Sequence, residues 1–492
     1  VTQILHQWVS EDGLPKAAGT VASTVPRHNH QTFPALGLLY AADYFGKYYA
    51  TFDSQEWLAT ADACFGRQAR MFKPHEDCNG YQWLTLGHLA HYCLARPAFA
   101  YFQPSPLWDE ALAAAAAPRR LWGTVSNAER DADYAVLGMD SFGYSTTYGD
   151  TGAYVGWWSE LEFLHRVNFV LRDAGYQWVI QKKVERSGRQ ALGQYAVILP
   201  AEEPLRLSGA VAFPLDGNWW KAYSGEDAPP LTSAVDKVVL RHGFAEDSGY
   251  VLLDALNPGG HRHYDGNSVS RWCARGRIWL ADADYFRAEP QVHSTVIVLR
   301  DGLATALPNL ARCGHVANLP NLGVSETILE KYNGVDWHRW LFLLKDGTLL
   351  VADRFVARRA GDYSFRVYWQ LLGDLQTGES WADLHQAGQW VRLAFPADAH
   401  LIITDDEACG RNWAGYPYIE RPVVHCLRAI YDARLKEGQE FVAWALLQTA
   451  GAERATSKLR RGGSRVAVVE GMPASAPLAL GLGCTPPAVR LE

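Results

Sequence analysis

The sequence predicts an α+β, multidomain protein, with a helical N-terminal part followed by antiparallel β-sheets stacked as a sandwich. Three observations carry this expectation. The chain has 492 residues, more than one ordinary core accommodates. Its first part places apolar residues at helical spacing, in segments of similar length with short connections. Beyond about residue 200, β-branched and aromatic runs alternate with Gly, Asp and Asn turns, and no helix-length crossover separates them.

The helices follow in order. Residues 32–49 (TFPALGLLYAADYFGKYY) are rich in Ala, Leu and aromatics. Asp53 caps a second helix, with Glu56 completing a capping box and Trp57, Cys64, Phe65 and Met71 on its apolar side. Residues 81–94 form a third. Ser105-Pro106 opens a fourth, which runs through an Ala tract to Pro118. A longer one covers 151–172 and ends near Gly175. Strands are expected at 237–241, 250–254, 295–300, 340–344, 348–353 and 363–369. Asp301-Gly302, Asn333-Gly334 and Asp346-Gly347 serve as hairpin turns. Strands continue beyond Asp383 as a smaller C-terminal sheet. The expected domains are therefore 1–200 (helical), 201–385 (β-sandwich) and 386–492 (smaller β domain).

Composition narrows the function. Hydrophobic residues make up 48% and charged residues 20% of the chain, a folded composition. The net charge is −7, and no basic domain or basic–aromatic repeat points to nucleic acid. No apolar run is long enough for a transmembrane helix. Nineteen Trp and 23 Tyr suit the apolar faces of sugar rings, although large cores also absorb aromatics. Eight Cys show no repeated spacing, so free thiols are expected rather than a disulfide framework. The chain starts at Val1 without a basic-then-apolar leader, and a processed N-terminus is the expectation. A homo-oligomer remains open.

The stretch 259–286, GGHRHYDGNSVSRWCARGRIWLADADYF, concentrates chemistry. His261 and His263 are two residues apart, so on an extended strand both imidazoles project to one face, and Asp265 follows. A second strand-like run, 277–285, carries Asp282, and a third begins at His293. Two imidazoles and a carboxylate on neighbouring strands suit a divalent metal, zinc above all. A bare H-x-H also describes strand histidines satisfied by local hydrogen bonds, and spacing alone leaves both readings open.

Four motifs stand in order: RHNH at 27–30 within the helical part, GHRHYDGNS at 260–268, LADADYF at 280–286 and HSTVIV at 293–298. In this order they resemble the heparinase II/III-like family of polysaccharide lyases, over most of the chain. The resemblance implies an (α/α) toroid, here incomplete or missing an N-terminal segment, since only 28 residues precede Asn29. Antiparallel β-sandwich domains follow it, with the active site in the cleft between. It implies cleavage of a uronic-acid-containing acidic polysaccharide by β-elimination, in the periplasm or outside the cell.

That reaction dictates the residue types. The C5 proton of a uronate becomes acidic only once its carboxylate is neutralised; a base at C5 and an acid at the bridging oxygen complete the elimination. By resemblance, Asn29 and His30 neutralise the carboxylate. The acid, and often the base, is a tyrosine roughly fifty to sixty residues further on. Tyr81, 52 residues after Asn29, is preferred because it opens a helix; Tyr92 is the other candidate. A tyrosine acting as base needs its pKa lowered from about 10. His261 matches the histidine that faces the substrate. His263, Asp282 and His293 match metal ligands holding three strands together, a structural zinc. Asp284 competes for the carboxylate role, Asp265 is expected to brace a turn, and Ser294 stands where the family usually has Asn. Arg27, Tyr92, Trp157, Trp219, Tyr285 and Arg339 are candidate sugar contacts, each with core packing or a structural ion pair as its alternative. A uronyl C5-epimerase would use the same proton abstraction. A non-catalytic acidic-glycan-binding protein would lack base or neutraliser.

Overall fold

The computed structural model describes residues 26, 28–49, 54–71, 77–96, 100–104, 126–146, 159–187, 200–230, 233–257, 263–282, 287–406, 413, 415–471 and 478–482. The chain divides into two compact units. One comprises 1–137, 156–207 and 214–234, and the other 138–155, 208–213 and 235–492. Each unit draws on more than one stretch of sequence, whereas the expected domains were continuous.

The first unit is helical. Among the described residues it contains α1 (Asn29–Tyr48), α2 (Ser54–Gln68), α3 (Tyr81–Ala95), α4 (Asn127–Leu137), α5 (Ser159–Leu171), α6 (Ala174–Ser187) and α7 (Gly217–Ser224). α1 packs on α2 and α3, and α3 packs on α5. α1 starts three residues before the expected helix and carries Pro34 in its second turn, where the missing N–H removes one intrahelical bond, to the His30 carbonyl. The expected fourth helix, 105–118, lies outside the described residues, as does Asp53. Aromatic stacking fastens the hairpins: Phe65 of α2 lies 4.4 Å from the ring of Tyr92 on α3, and Trp83 meets Phe163 of α5 at 5.6 Å.

Buried charges in this unit are paired. Lys183 donates to Glu160 at 2.8 Å. Asp133 receives Tyr176 Oη at 2.8 Å and Arg206 at 2.7 Å.

The second unit is all antiparallel β. A ten-stranded sheet runs in the order Gly209–Pro214, Val235–Arg241, Tyr250–Asp254, Ser268–Ala274, Arg277–Ala281, Gly361–Leu372, Val424–Leu435 and His400–Asp406. Val296–Arg300 also pairs with Gly361–Leu372 and carries Leu303–Ala304. An eight-stranded sheet runs Asp374–Thr377, Trp381–Gln386, Gln389–Ala394, Glu440–Gly451, Leu349–Ala357, Val335–Leu344, Leu322–Tyr332 and Arg312–Leu319. Side chains of both sheets interdigitate in one core, including Trp272, Trp279 and Trp369 from the first and Trp337, Phe355 and Leu447 from the second.

The outer face of the eight-stranded sheet is apolar as well, with Trp340, Phe342 and Trp444. A three-stranded sheet, Lys458–Gly463, Val466–Glu470 and Leu478–Gly481, covers it through Leu459, Val469 and Leu480. Most strands expected beyond 386 therefore belong to the two large sheets, and only this last sheet stands apart. The reason is visible in Glu440–Gly451. Its eight consecutive buried residues need cover on both faces, which only a central strand between two layers receives.

Among the described residues no helix is long and apolar enough to cross a membrane. Six of the eight cysteines are described, all free and five of them buried. The fold class is α+β and multidomain: helical toroid elements followed by antiparallel β-sandwich layers.

Candidate functional site

Two clusters of candidate residues form, one in each unit. In the helical unit Asn29 is the first residue of α1 and half-buried, and His30 is exposed. His28 is the N-cap and makes no side-chain cap hydrogen bond, so the Asn-His pair does not act as a cap. Thr32 holds this turn: its hydroxyl donates to the Asn29 carbonyl at 3.4 Å and sits 3.0 Å from Nδ1 of His88 on α3. Burial foremost, then the nearby Arg166 and His91, lowers the His88 pKa to about 4. Near neutral pH His88 is therefore uncharged. Its link to Thr32 ties the Asn29 turn to α3. Sequence reasoning missed His88. Its position seven residues after Tyr81, on the same face of one helix, was the available signal.

Tyr81 is the first residue of α3, half-buried, behind Gly80 with φ 105°. A side chain there would strain the turn, so the abrupt start of α3 depends on glycine. Tyr92, the other tyrosine candidate, is fully buried against Phe65.

The second cluster lies in the β unit. Asp282 directly follows the strand Arg277–Ala281, and its Oδ1 is 2.7 Å from Nδ1 of His293. A carboxylate only accepts, so Nδ1–H donates and Nε2 carries the lone pair of the neutral ring. That Nε2 is buried and has no hydrogen-bond partner among the described residues. His263, Asp265 and His293 each offer one donor atom, the three atoms lying within 4.8 Å of one another, and all three residues are buried. Burial opposes charge on His293, while Asp282 foremost, with Asp265 and Glu289, raises its pKa above the ordinary imidazole value.

The expected ligand set was His263, Asp282 and His293; the grouping in the structure differs from it in the carboxylate. Asp265 supplies the carboxylate beside the two histidines, and Asp282 stands behind His293 as its hydrogen-bond partner. The physical reason is that the strands are shorter than their sequence runs suggest. His263 precedes the strand Ser268–Ala274 in a loop, and His293 precedes Val296–Arg300. Strand alternation therefore does not apply, and the loop folds Asp265 inward. The H-x-H-x-D spacing carried the signal. The loop is tightly built. A Cβ on Gly266 would lie 2.7 Å from Cβ of Asn257. Thr295 Oγ1 donates to the Gly266 carbonyl at 3.0 Å, and Ser294 Oγ accepts from the Gln370 N–H at 3.0 Å. Two imidazoles, a carboxylate and an orphaned buried Nε2 fit a divalent cation of the zinc type.

The remaining candidates separate. His261, Arg27, Trp157, Tyr285 and Asp284 lie outside the described residues. Trp219 is buried within α7 and stacks on Tyr223 at 4.9 Å. Arg339 is fully buried; its Nε donates to Asp353 Oδ1 at 2.8 Å, and its Nη1 to the carbonyls of Asn267 and Ser294 at 2.7 and 2.8 Å. Tyr92, Trp219 and Arg339 thus take the packing and ion-pair alternatives, because a side chain without exposed surface does not meet a polymer. Arg339 instead holds the carbonyls that flank the His293 loop.

The chain thus combines a helical unit with a layered antiparallel β unit. No family model matches the sequence, and no curated protein matches it. Solved structures do. Heparan sulfate lyase HepC from Pedobacter heparinus, in a mutant form, is similar at TM-score 0.56 and 14% identity, over 96% of this chain and 69% of that one. The heparinase III-BT4657 gene product is similar at TM-score 0.61 and 12% identity, over 95% and 68%. A heparinase III structure gives TM-score 0.61 and 9% identity, over 95% and 70%. The chain shares their fold.

Proposed function

We propose that this protein is a polysaccharide lyase that cleaves a uronic-acid-containing acidic polysaccharide by β-elimination. The observation that carries the reading is the fold shared with heparan sulfate lyases together with candidate residues for each step. Asn29 donates its amide hydrogens to the uronate carboxylate, with His30 beside it, so that the C5–H bond can lose its proton. A base, His261 or Tyr81, takes that proton. The electron pair forms the C4=C5 double bond, the C4–O4 bond breaks, and Tyr81 returns a proton to the departing oxygen. The product carries an unsaturated uronate at its new non-reducing end.

The His263, Asp265 and His293 cluster would hold a zinc-type ion, with Asp282 fixing the His293 ring. When bound, the ion supplies cross-linking of the loops rather than chemistry at the sugar. The chain's own residues carry every proton movement above. A secreted or periplasmic setting suits a polymeric substrate.

The test is ultraviolet absorbance of the C4=C5 product across heparan sulfate, heparin, hyaluronan, chondroitin, alginate and glucuronan. Absorbance should rise with one polymer class and fall by about 10²-fold or more in Asn29→Ala, the usual cost of removing a donor to developing charge. Absence of any rise, with proton exchange at C5 detected instead, would replace the lyase by an epimerase. Binding without either would leave a glycan-binding protein.

A further inference from the structure

A cleft of about 820 Å³ opens where residues of the strands Trp381–Gln386 and Gln389–Ala394, second and third in the eight-stranded sheet, meet residues of the three-stranded sheet. Its size is that of a ligand pocket. Its buried lining is mostly apolar, from Ala394, Phe395 and Leu459, with Ser457 beside them. One wall is an indole backed by a guanidinium. Arg392 lies 4.5 Å over the Trp381 ring and is clamped by Asp383 through two 2.7 Å hydrogen bonds. Such a stack is rigid and flat. Around it donors and acceptors alternate: Arg460 donates to Glu470 at 2.9 Å, and Arg461 donates to Asp398 at 3.3 Å. Two lining residues, Lys458 and Glu379, are exposed and make no ion pair among the described residues.

These features select a ligand class. A purely apolar molecule would strand the charged rim. A multiply charged anion such as a polyphosphate would need several free cations, whereas Arg392, Arg460 and Arg461 are already paired with Asp383, Glu470 and Asp398, and only Lys458 is left. A pyranose ring satisfies both demands: its C–H face packs on a flat aromatic wall, and its vicinal hydroxyls each donate and accept. The uncommitted ammonium of Lys458 accommodates one carboxylate. We propose that this cleft is a non-catalytic carbohydrate-binding site that takes a singly charged, unsulfated uronate unit of a glycan. The choice of a uronate rests on the lyase reading; the site itself does not. It would hold the protein on a long chain through a residue set separate from the candidate catalytic side chains.

The experiment is isothermal titration of the full chain with an unsulfated hexaglucuronate and with neutral maltohexaose. Saturable binding of the uronate at a second site, besides the catalytic one, is expected; it is weakened roughly tenfold in Lys458→Glu, where a charge pair becomes a repulsion, and lost in Trp381→Ala. Maltohexaose should bind more weakly than the uronate and be indifferent to Lys458→Glu. Lys458 is exposed, so its replacement keeps the test valid if Trp381→Ala fails to fold. Uronate binding unchanged in Lys458→Glu, or a titration insensitive to both substitutions, would overturn the assignment. Failure of the lyase reading shows separately, as the absence of an absorbance rise with any polymer.

Discussion

His293 joins local structure to chemistry in the most direct way. Its Nδ1 is committed to Asp282, and one of its ring nitrogens lies within 4.8 Å of donor atoms of both His263 and Asp265. If these atoms hold zinc, His293→Ala should remove bound metal, read by elemental analysis, and lower the thermal midpoint. Asp282→Asn should keep the ligands and weaken metal affinity by about 10–100-fold, the usual effect of losing a partner behind a ligating histidine. Full metal occupancy in His293→Ala would exclude the cluster. His88 offers a second test. Its folded pKa of about 4 lies below the ordinary value of 6.5. The unfolded chain therefore takes up a proton first as pH falls. The His88 contribution to stability is present above about 6.5 and is lost progressively down to about 4. Urea midpoints measured across that window should fall less steeply in His88→Asn than in the parent. Parallel slopes would show that His88 is not held neutral.

The ion pair between the strands Val335–Leu344 and Leu349–Ala357 shows how elements position the cluster. Arg339 and Asp353 face each other in register across the two strands, both buried, and the guanidinium reaches the carbonyls of Asn267 and Ser294. Replacing one partner strands the other charge in the core. Asp353→Asn should therefore cost about 3–5 kcal/mol in a denaturant titration. Because Ser294 adjoins His293, it should also lower metal occupancy. An effect within the range of a surface pair would contradict this role. Gly266→Ala acts on the same loop by a different route, since its new methyl meets Asn257 rather than solvent. The loop must then move, and metal retention should drop without any ligand being altered.

The β unit is a stack of three layers, and its last layer is the smallest. The three-stranded sheet covers Trp340, Phe342, Val442 and Trp444 on the outer face of the eight-stranded sheet. Deleting residues 452–492 would expose that face as one contiguous apolar patch. The truncated protein should bind a hydrophobic dye and aggregate, whereas a peripheral, independent domain would be removed without either effect. The net charge of −7 makes a polyanionic substrate dependent on local cations. At the cleft beside this layer Lys458 is such a cation, while Arg460 and Arg461 are committed to Glu470 and Asp398.

The sequence by itself determined what depends on neighbours along the chain. Apolar periodicity placed α1, α3 and the later strands to within a few residues, and glycine turns marked the hairpins, because each signal is a local backbone preference. It also brought forward His263 and His293, thirty residues apart, as partners. Only the tertiary structure decided the rest. Which carboxylate, Asp265 or Asp282, joins the two histidines depends on how a loop packs between strands, and no spacing rule reaches that. Whether Arg339, Trp219 and Tyr92 face solvent or core depends on what covers them. The strand Glu440–Gly451 became central because another sheet lies over each of its faces. Burial is a property of the assembled chain, and side-chain chemistry follows burial.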